Sequence, residues 1–154
     1  MFCVNATPQQ TPDDLVTTFG RLVEAYVSLE RQVGEALQRD VGIPHSWYEV
    51  MLRLSRSESG QLPMSTLAEQ VALTSGGITR LLDKMVAAGF AERVACATDR
   101  RVSYAALTPA GSAKLAEASE VHDRNLARLF TGLTGTERQQ LDRLLDKLRG
   151  ASLV

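Results

Sequence analysis

At 154 residues, with 44% hydrophobic and 23% charged side chains, the chain has the size of one domain and the composition of an ordinary globular protein able to bury a core. A formal net charge of −1 excludes a wholesale basic nucleic-acid binder, so any such role must rest on local charge. The two cysteines, Cys3 and Cys96, with only His45 and His122 beside them, supply neither a disulfide framework nor a ligand set of zinc spacing.

No signal-like segment opens the sequence and no apolar run approaches the ~20 residues that span a bilayer, so a cytoplasmic protein with no membrane partner and no cofactor is expected. Charge is unevenly spread. Residues 1–60 hold five Arg against eight Asp/Glu, whereas residues 61–107 hold five Lys/Arg against four. The asymmetry favours an anion-binding middle, but only weakly.

Residues 1–11 read as a disordered N-terminal arm. Thr11-Pro12-Asp13-Asp14 is a helix start, with a capping hydroxyl, Pro at the first helical position and carboxylates on the positive helix end. The helix over 12–43 carries Leu15, Phe19, Leu22, Tyr26, Leu29, Val33 and Ala36. Those spacings alternate four and three, a heptad seam that calls for a partner helix. Gly42-Ile43-Pro44 ends it. A second helix runs from about His45 through Trp47, Val50, Met51 and Leu54 into the loop Ser57–Gln61,.

Two short helices follow, over about 65–71 and 75–88, closed by Gly89. Ala91–Ala95 and Val102–Leu107 read as strands around a polar turn. Thr108-Pro109 opens a helix bearing Leu115, Val121, Leu126, Leu129 and Phe130, and Thr134-x-x-Glu137 is a capping box before Leu141, Leu144, Leu145 and Leu148,. The expected order is four helices, a hairpin and two helices. That makes a mainly α chain in which 44–107 form a winged helix-turn-helix and the 12–43 and 108–154 helices are a dimerisation framework.

A helix-turn-helix needs small and apolar residues at set offsets because its helices cross tightly. Ala68 suits the closest approach, with Leu67, Val71, Leu73, Ile78, Leu81, Leu82 and Met85 as the shared core. Ala72 stands where such turns often use Gly. On the second helix Gly76, Thr79, Arg80, Asp83 and Lys84 then face outward together. Thr74 is the expected cap, followed by Ser75, Gly76 and Gly77. Two glycines here cost roughly 1 kcal/mol each relative to Ala, and close approach to phosphate at a helix N-terminus is one reason to tolerate them. The bland reading is a solvated face and a relaxed helix start. Asp99-Arg100-Arg101 at the hairpin tip shifts the balance, because a narrow minor groove attracts guanidinium groups. Its own bland reading is a charged tip that keeps an edge soluble.

The chain resembles the MarR-type winged helix-turn-helix regulators. The likeness is carried by Leu67-Ala68-Glu69, the run Ile78–Met85, Gly89–Arg93, Asp99-Arg100-Arg101 and Leu107-Thr108-Pro109-Ala110-Gly111. This resemblance implies a homodimer with intertwined terminal helices on a pseudo-palindromic double-stranded DNA site. It implies that Arg101 enters the minor groove with Asp99 as its partner. It also implies relief by a small, often aromatic effector, in a pocket for which Tyr26, His45, Trp47, Tyr48 and Met51 are candidates. Trp47 and Met51 share a face with Val50 and Leu54, so a core role competes for them. Gly76 and Gly77 depart from the polar or basic residues of many relatives, which leaves base reading to Ser75, Thr79 and Arg80. The turn Val94–Thr98 lacks the basic and proline residues common there.

The expected function is therefore a DNA-binding transcriptional repressor. No grouping of acid, base and nucleophile supports an enzyme. Two alternatives stand beside it: a winged-helix dimer acting as a protein-interaction adaptor, and a redox-responsive regulator in which an adduct on Cys96 would clash with DNA.

Overall fold

The computed structural model describes residues 13–71, 73–95 and 102–151. The expected arm, the Thr11-Pro12 start, Ala72, Cys3 and Cys96 lie outside them. Six helices and three strands follow in the order α1 (Asp13–Asp40), α2 (His45–Ser55), β1 (Gln61–Pro63), α3 (Met64–Gln70), α4 (Ser75–Ala87), β2 (Ala91–Ala95), β3 (Ser103–Leu107), α5 (Pro109–Leu129) and α6 (Gly135–Arg149). The mainly helical architecture with a small sheet is the one the sequence implies, with one strand more.

The chain divides into two units, residues 1–32 and 33–154. The first contains the N-terminal part of α1. Its apolar stripe faces solvent within the chain, with Leu15 81%, Phe19 67% and Tyr26 64% exposed.

In the second unit the last turns of α1 bury Val33, Ala36 and Leu37. The helix stops at Gly42, whose φ of +76° is left-handed and whose N–H reaches back to the Leu37 carbonyl at 3.1 Å, a glycine C-terminal stop. Pro44 then caps α2 in an extended conformation. The core is built from Leu37, Ile43, Val50, Met51, Leu54, Leu67, Ile78, Leu82, Met85 and Ala105, each at most 2% exposed. Apolar faces of α2, α3 and α4 thus close on the buried side of the sheet. Leu81 and Val71 pack at its margin. Leu73, expected in the shared core, is 38% exposed. It lies in the turn between α3 and α4, beyond either helical period, where its N–H bonds the Ala68 carbonyl at 2.9 Å.

The sheet is antiparallel in the order β1-β3-β2, with Leu62 opposite Ala105 and Ala91 opposite Leu107. The unexpected strand β1 is an edge strand of three residues ending in Pro63, the position where proline does least harm to a ladder. After β3, Thr108 caps α5 by accepting the Gly111 N–H at 3.0 Å, and its own hydroxyl donates to the Gly89 carbonyl at 2.6 Å. The Thr108 N–H bonds the Phe90 carbonyl at 3.2 Å. These bonds clamp the α4–β2 turn to the start of α5.

Gly111 sits against that clamp: a Cβ there would lie 1.8 Å from the Phe90 carbonyl oxygen. The α6 capping box is present in full, with Glu137 accepting from the Thr134 backbone N–H at 2.7 Å and from its hydroxyl at 2.8 Å. Those donors hold the Glu137 carboxyl below the usual glutamate range. Leu144, Leu145 and Leu148 on α6 are exposed. Among the described residues no helix is long and apolar enough to cross a membrane.

Candidate nucleic-acid interface

The helix-turn-helix presents α4 with one side sealed and the other open. Ile78, Leu82 and Met85 are buried, which by helical geometry turns Gly76, Thr79, Arg80, Asp83 and Lys84 to the opposite side. All five are exposed, as is Ser75. Thr74 caps the helix in the expected way, accepting the Gly77 N–H at 3.1 Å.

The two glycines now separate. A Cβ on Gly77 would meet the Thr74 hydroxyl oxygen at 3.2 Å and the Leu73 side chain at 3.7 Å, so the cap itself favours glycine there. Gly76 has nothing within 4 Å of that position. No internal packing requires it, and a Cβ-free backbone at the helix mouth suits close approach by an external anion. The Thr79 hydroxyl donates to the Ser75 carbonyl at 2.9 Å. Its hydrogen is committed to the helix, while its oxygen lone pairs and methyl group remain available to accept from a base amino group or to touch a thymine methyl.

From the sequence, Asp83 shares the outward face with Arg80 and Lys84 and partly offsets their charge, unless it braces Arg80 or a wing arginine. In the structure Asp83 Oδ1 accepts from Arg93 Nη2 on β2 at 2.7 Å. The partner is a strand residue ten positions away, so no helical spacing could have identified it. Arg93 itself was noticed only as part of the Gly89–Arg93 run. With Asp83 engaged, the exposed face of α4 presents Arg80 and Lys84 beside a neutralised pair. The wing strands β2 and β3 pair as expected, from Ala91 opposite Leu107 to Ala95 opposite Ser103. Asp99, Arg100 and Arg101 lie outside the described residues.

Of the effector-pocket candidates, Tyr26 belongs to the N-terminal unit and is 64% exposed. In the other unit Met51 is fully buried and Tyr48 is 4% exposed, both within the core cluster. Trp47 packs edge-on against Phe90, with ring centroids 6.1 Å apart. His45 stacks on His122 of α5 at 5.4 Å, and the Tyr48 ring lies 4.6 Å from the same imidazole. His45 Nε2 is 3.8 Å from Glu49. The fold thus brings together two histidines that sequence reasoning treated as unrelated. Among the described residues there is no group of three His, Cys, Asp or Glu side chains that could hold a metal.

The MarR family profile matches residues 41–102, the segment that holds α2 to β2 and stops just short of β3. Over that segment the chain has the pattern of the MarR family. It is 34% identical over 88 residues to the HTH-type transcriptional regulator YkoM of Bacillus subtilis, covering 57% of each chain. It is 30% identical over 107 residues to the HTH-type transcriptional regulator PapX of Escherichia coli, covering 70% of this chain and 65% of PapX. The matched stretch is thus under two thirds of the length of either relative. The fold also matches Sco3205, a MarR family transcriptional regulator from Streptomyces coelicolor whose structure was solved in complex with DNA. That match has a TM-score of 0.81 at 25% identity and covers 94% of this chain and 91% of that one.

Proposed function

We propose that this chain is a MarR-family, sequence-specific, double-stranded-DNA-binding transcriptional regulator, acting as a homodimeric repressor on a pseudo-palindromic operator. The observation that carries the reading is the exposed face of α4, where Gly76, Thr79, Arg80 and Lys84 stand opposite a fully buried side. The likeness to Sco3205, solved with DNA, adds support. In this reading Lys84 and the α4 N-terminus contact phosphates and fix register, Ser75, Thr79 and Arg80 read base edges in the major groove, and Arg100 and Arg101 reach the flanking minor groove beside Asp99.

Dimerisation is part of the proposal. The apolar stripe of α1 and the leucines of α6 are left exposed in the single chain, as surfaces that meet a partner are, and a second copy is the occupant that two-fold operators call for. Relief by a small aromatic effector is the regulatory step expected of this family. A regulator of this kind works where DNA is, and a cytoplasmic location is part of the reading.

The test is selection from a random duplex library with the purified protein at two salt concentrations, with its mass in solution measured alongside. A two-fold-symmetric site with affinity falling steeply in salt supports the proposal, and Arg80→Ala and Arg101→Ala should then each weaken binding by about 1–3 kcal/mol. No enriched sequence, or binding indifferent to salt, would move the assignment to a protein-interaction adaptor. A monomer at micromolar concentration would overturn the dimer.

A further inference from the structure

Asp83 is the single acidic residue of α4, three residues after Arg80 and adjacent to Lys84, with its side chain 60% exposed. On a surface that meets phosphates, a lone carboxylate there would repel the ligand. It is held instead by Arg93 Nη2 at 2.7 Å, a short charge-assisted contact. Arg93 sits on β2 opposite Ala105 of the central strand β3, so the bridge joins the exposed face of α4 to the sheet that carries the wing. Exposed ion pairs of this kind contribute little to stability. Fold stability is therefore a poor explanation for placing an acid on this face together with a partner that cancels it.

We infer that Arg93 is a positioning residue for DNA reading: its bridge to Asp83 fixes the orientation of the α4 reading face against the wing and removes the one repulsive charge from that face. The inference rests on the DNA-binding reading above. Two effects follow, and they separate in experiment. The charge effect acts on every DNA sequence alike and appears in the salt dependence. The orientation effect acts only where bases are read and appears in the ratio of specific to nonspecific affinity.

The experiment measures, for the parent and for Arg93→Ala, Arg93→Lys, Asp83→Asn and the double variant Asp83→Asn/Arg93→Ala, the affinity for the selected operator and for a scrambled duplex across a salt series. Urea midpoints are recorded for each. Arg93→Ala should make the salt slope shallower by about 0.9, because an uncompensated carboxylate faces the phosphates, and Asp83→Asn should steepen it by a similar amount. The double variant restores the charge balance and should return the slope to the parent value.

If the bridge positions the helix, the double variant keeps a specificity ratio at least about fivefold below the parent. Arg93→Lys, which retains a charge but not the fork, should recover part of the ratio. Urea midpoints should stay close to the parent throughout. A double variant with parental specificity would reduce Arg93 to charge compensation and overturn the inference. So would an Arg93→Ala protein with an unchanged ratio, or losses that track unfolding across the set, Asp83→Asn and Arg93→Lys included. If the parent itself enriches no DNA sequence, the functional reading fails first and takes this one with it, whereas a parent that binds with unaffected variants sinks only the role of Arg93.

Discussion

Gly111→Ala should be among the most destabilising single-methyl changes in this chain. The added Cβ would lie 1.8 Å from the Phe90 carbonyl oxygen, 2.8 Å from its carbon and 3.2 Å from its Cα, where ordinary contact begins near 3.4 Å. All three atoms are backbone, so no side chain can swing aside. Relief needs a displacement of more than 1 Å between the first turn of α5 and the α4–β2 turn. That movement acts directly on the Thr108 N–H to Phe90 carbonyl bond and the Thr108 hydroxyl to Gly89 carbonyl bond, at 3.2 and 2.6 Å.

Overpacking of this kind costs about 1–3 kcal/mol, and each weakened hydrogen bond adds about 1 kcal/mol. The better helix propensity of Ala returns about 1 kcal/mol. The net is a loss of about 2–4 kcal/mol, or a fall in Tm of roughly 5–15 °C for a chain of this size. Urea unfolding followed by circular dichroism measures it directly, as a lower midpoint at unchanged slope. A Gly111→Ala protein as stable as the parent would refute the close approach and the clamp with it. Gly76→Ala is the matched control. The same substitution in α4 meets nothing within 4 Å, so stability should hold or rise by up to about 1 kcal/mol, while operator affinity falls if phosphate approaches the bare backbone there.

Thr108→Val removes the hydroxyl that caps Gly111 and ties down Gly89, and should cost about 1–2 kcal/mol in urea unfolding; a neutral result would show that the cap is redundant. Low pH should weaken α6 through Glu137. Its carboxyl is held down by the Thr134 backbone N–H first and the hydroxyl second, so its contribution is present above the ordinary glutamate value of 4.5 and is lost as pH falls through the lower folded value. The stability gap between the parent and Glu137→Gln should therefore shrink from pH 7 to pH 3, and a gap constant over that range would exclude the capping carboxylate as its source.

What could be read from the sequence was whatever a few adjacent residues decide. Thr74, Thr108 and the Thr134–Glu137 box announce helix starts because capping is a side chain bonding a backbone two or three residues on, and all three caps form. The inward set Ile78, Leu82 and Met85 followed from the helical period. Strand β1 did not, since three residues ending in Pro63 carry no alternation and pair only with β3, more than forty positions later. Leu73 was misplaced because apolar character was extended through a turn where the helical period no longer holds. The Arg93–Asp83 bridge and the His45–His122 stack depend on tertiary proximity, which neither charge pattern nor spacing encodes. The Gly111 requirement is of the same kind, visible in the sequence only as a glycine in a familiar run.

The clamp has a mechanical consequence. Phe90 and Gly89 lie at the turn where α4 and the sheet would otherwise swing separately, and both carbonyls are pinned by Thr108 at the root of α5. A force that tilts α5 is therefore delivered to α4 and the sheet together, as to a tool fixed on its handle. In the proposed DNA-binding role, the exposed face of α4 keeps its shape and changes its heading. Where two such surfaces must fall on successive turns of one duplex, a change of heading spoils the distance between them and leaves each half intact.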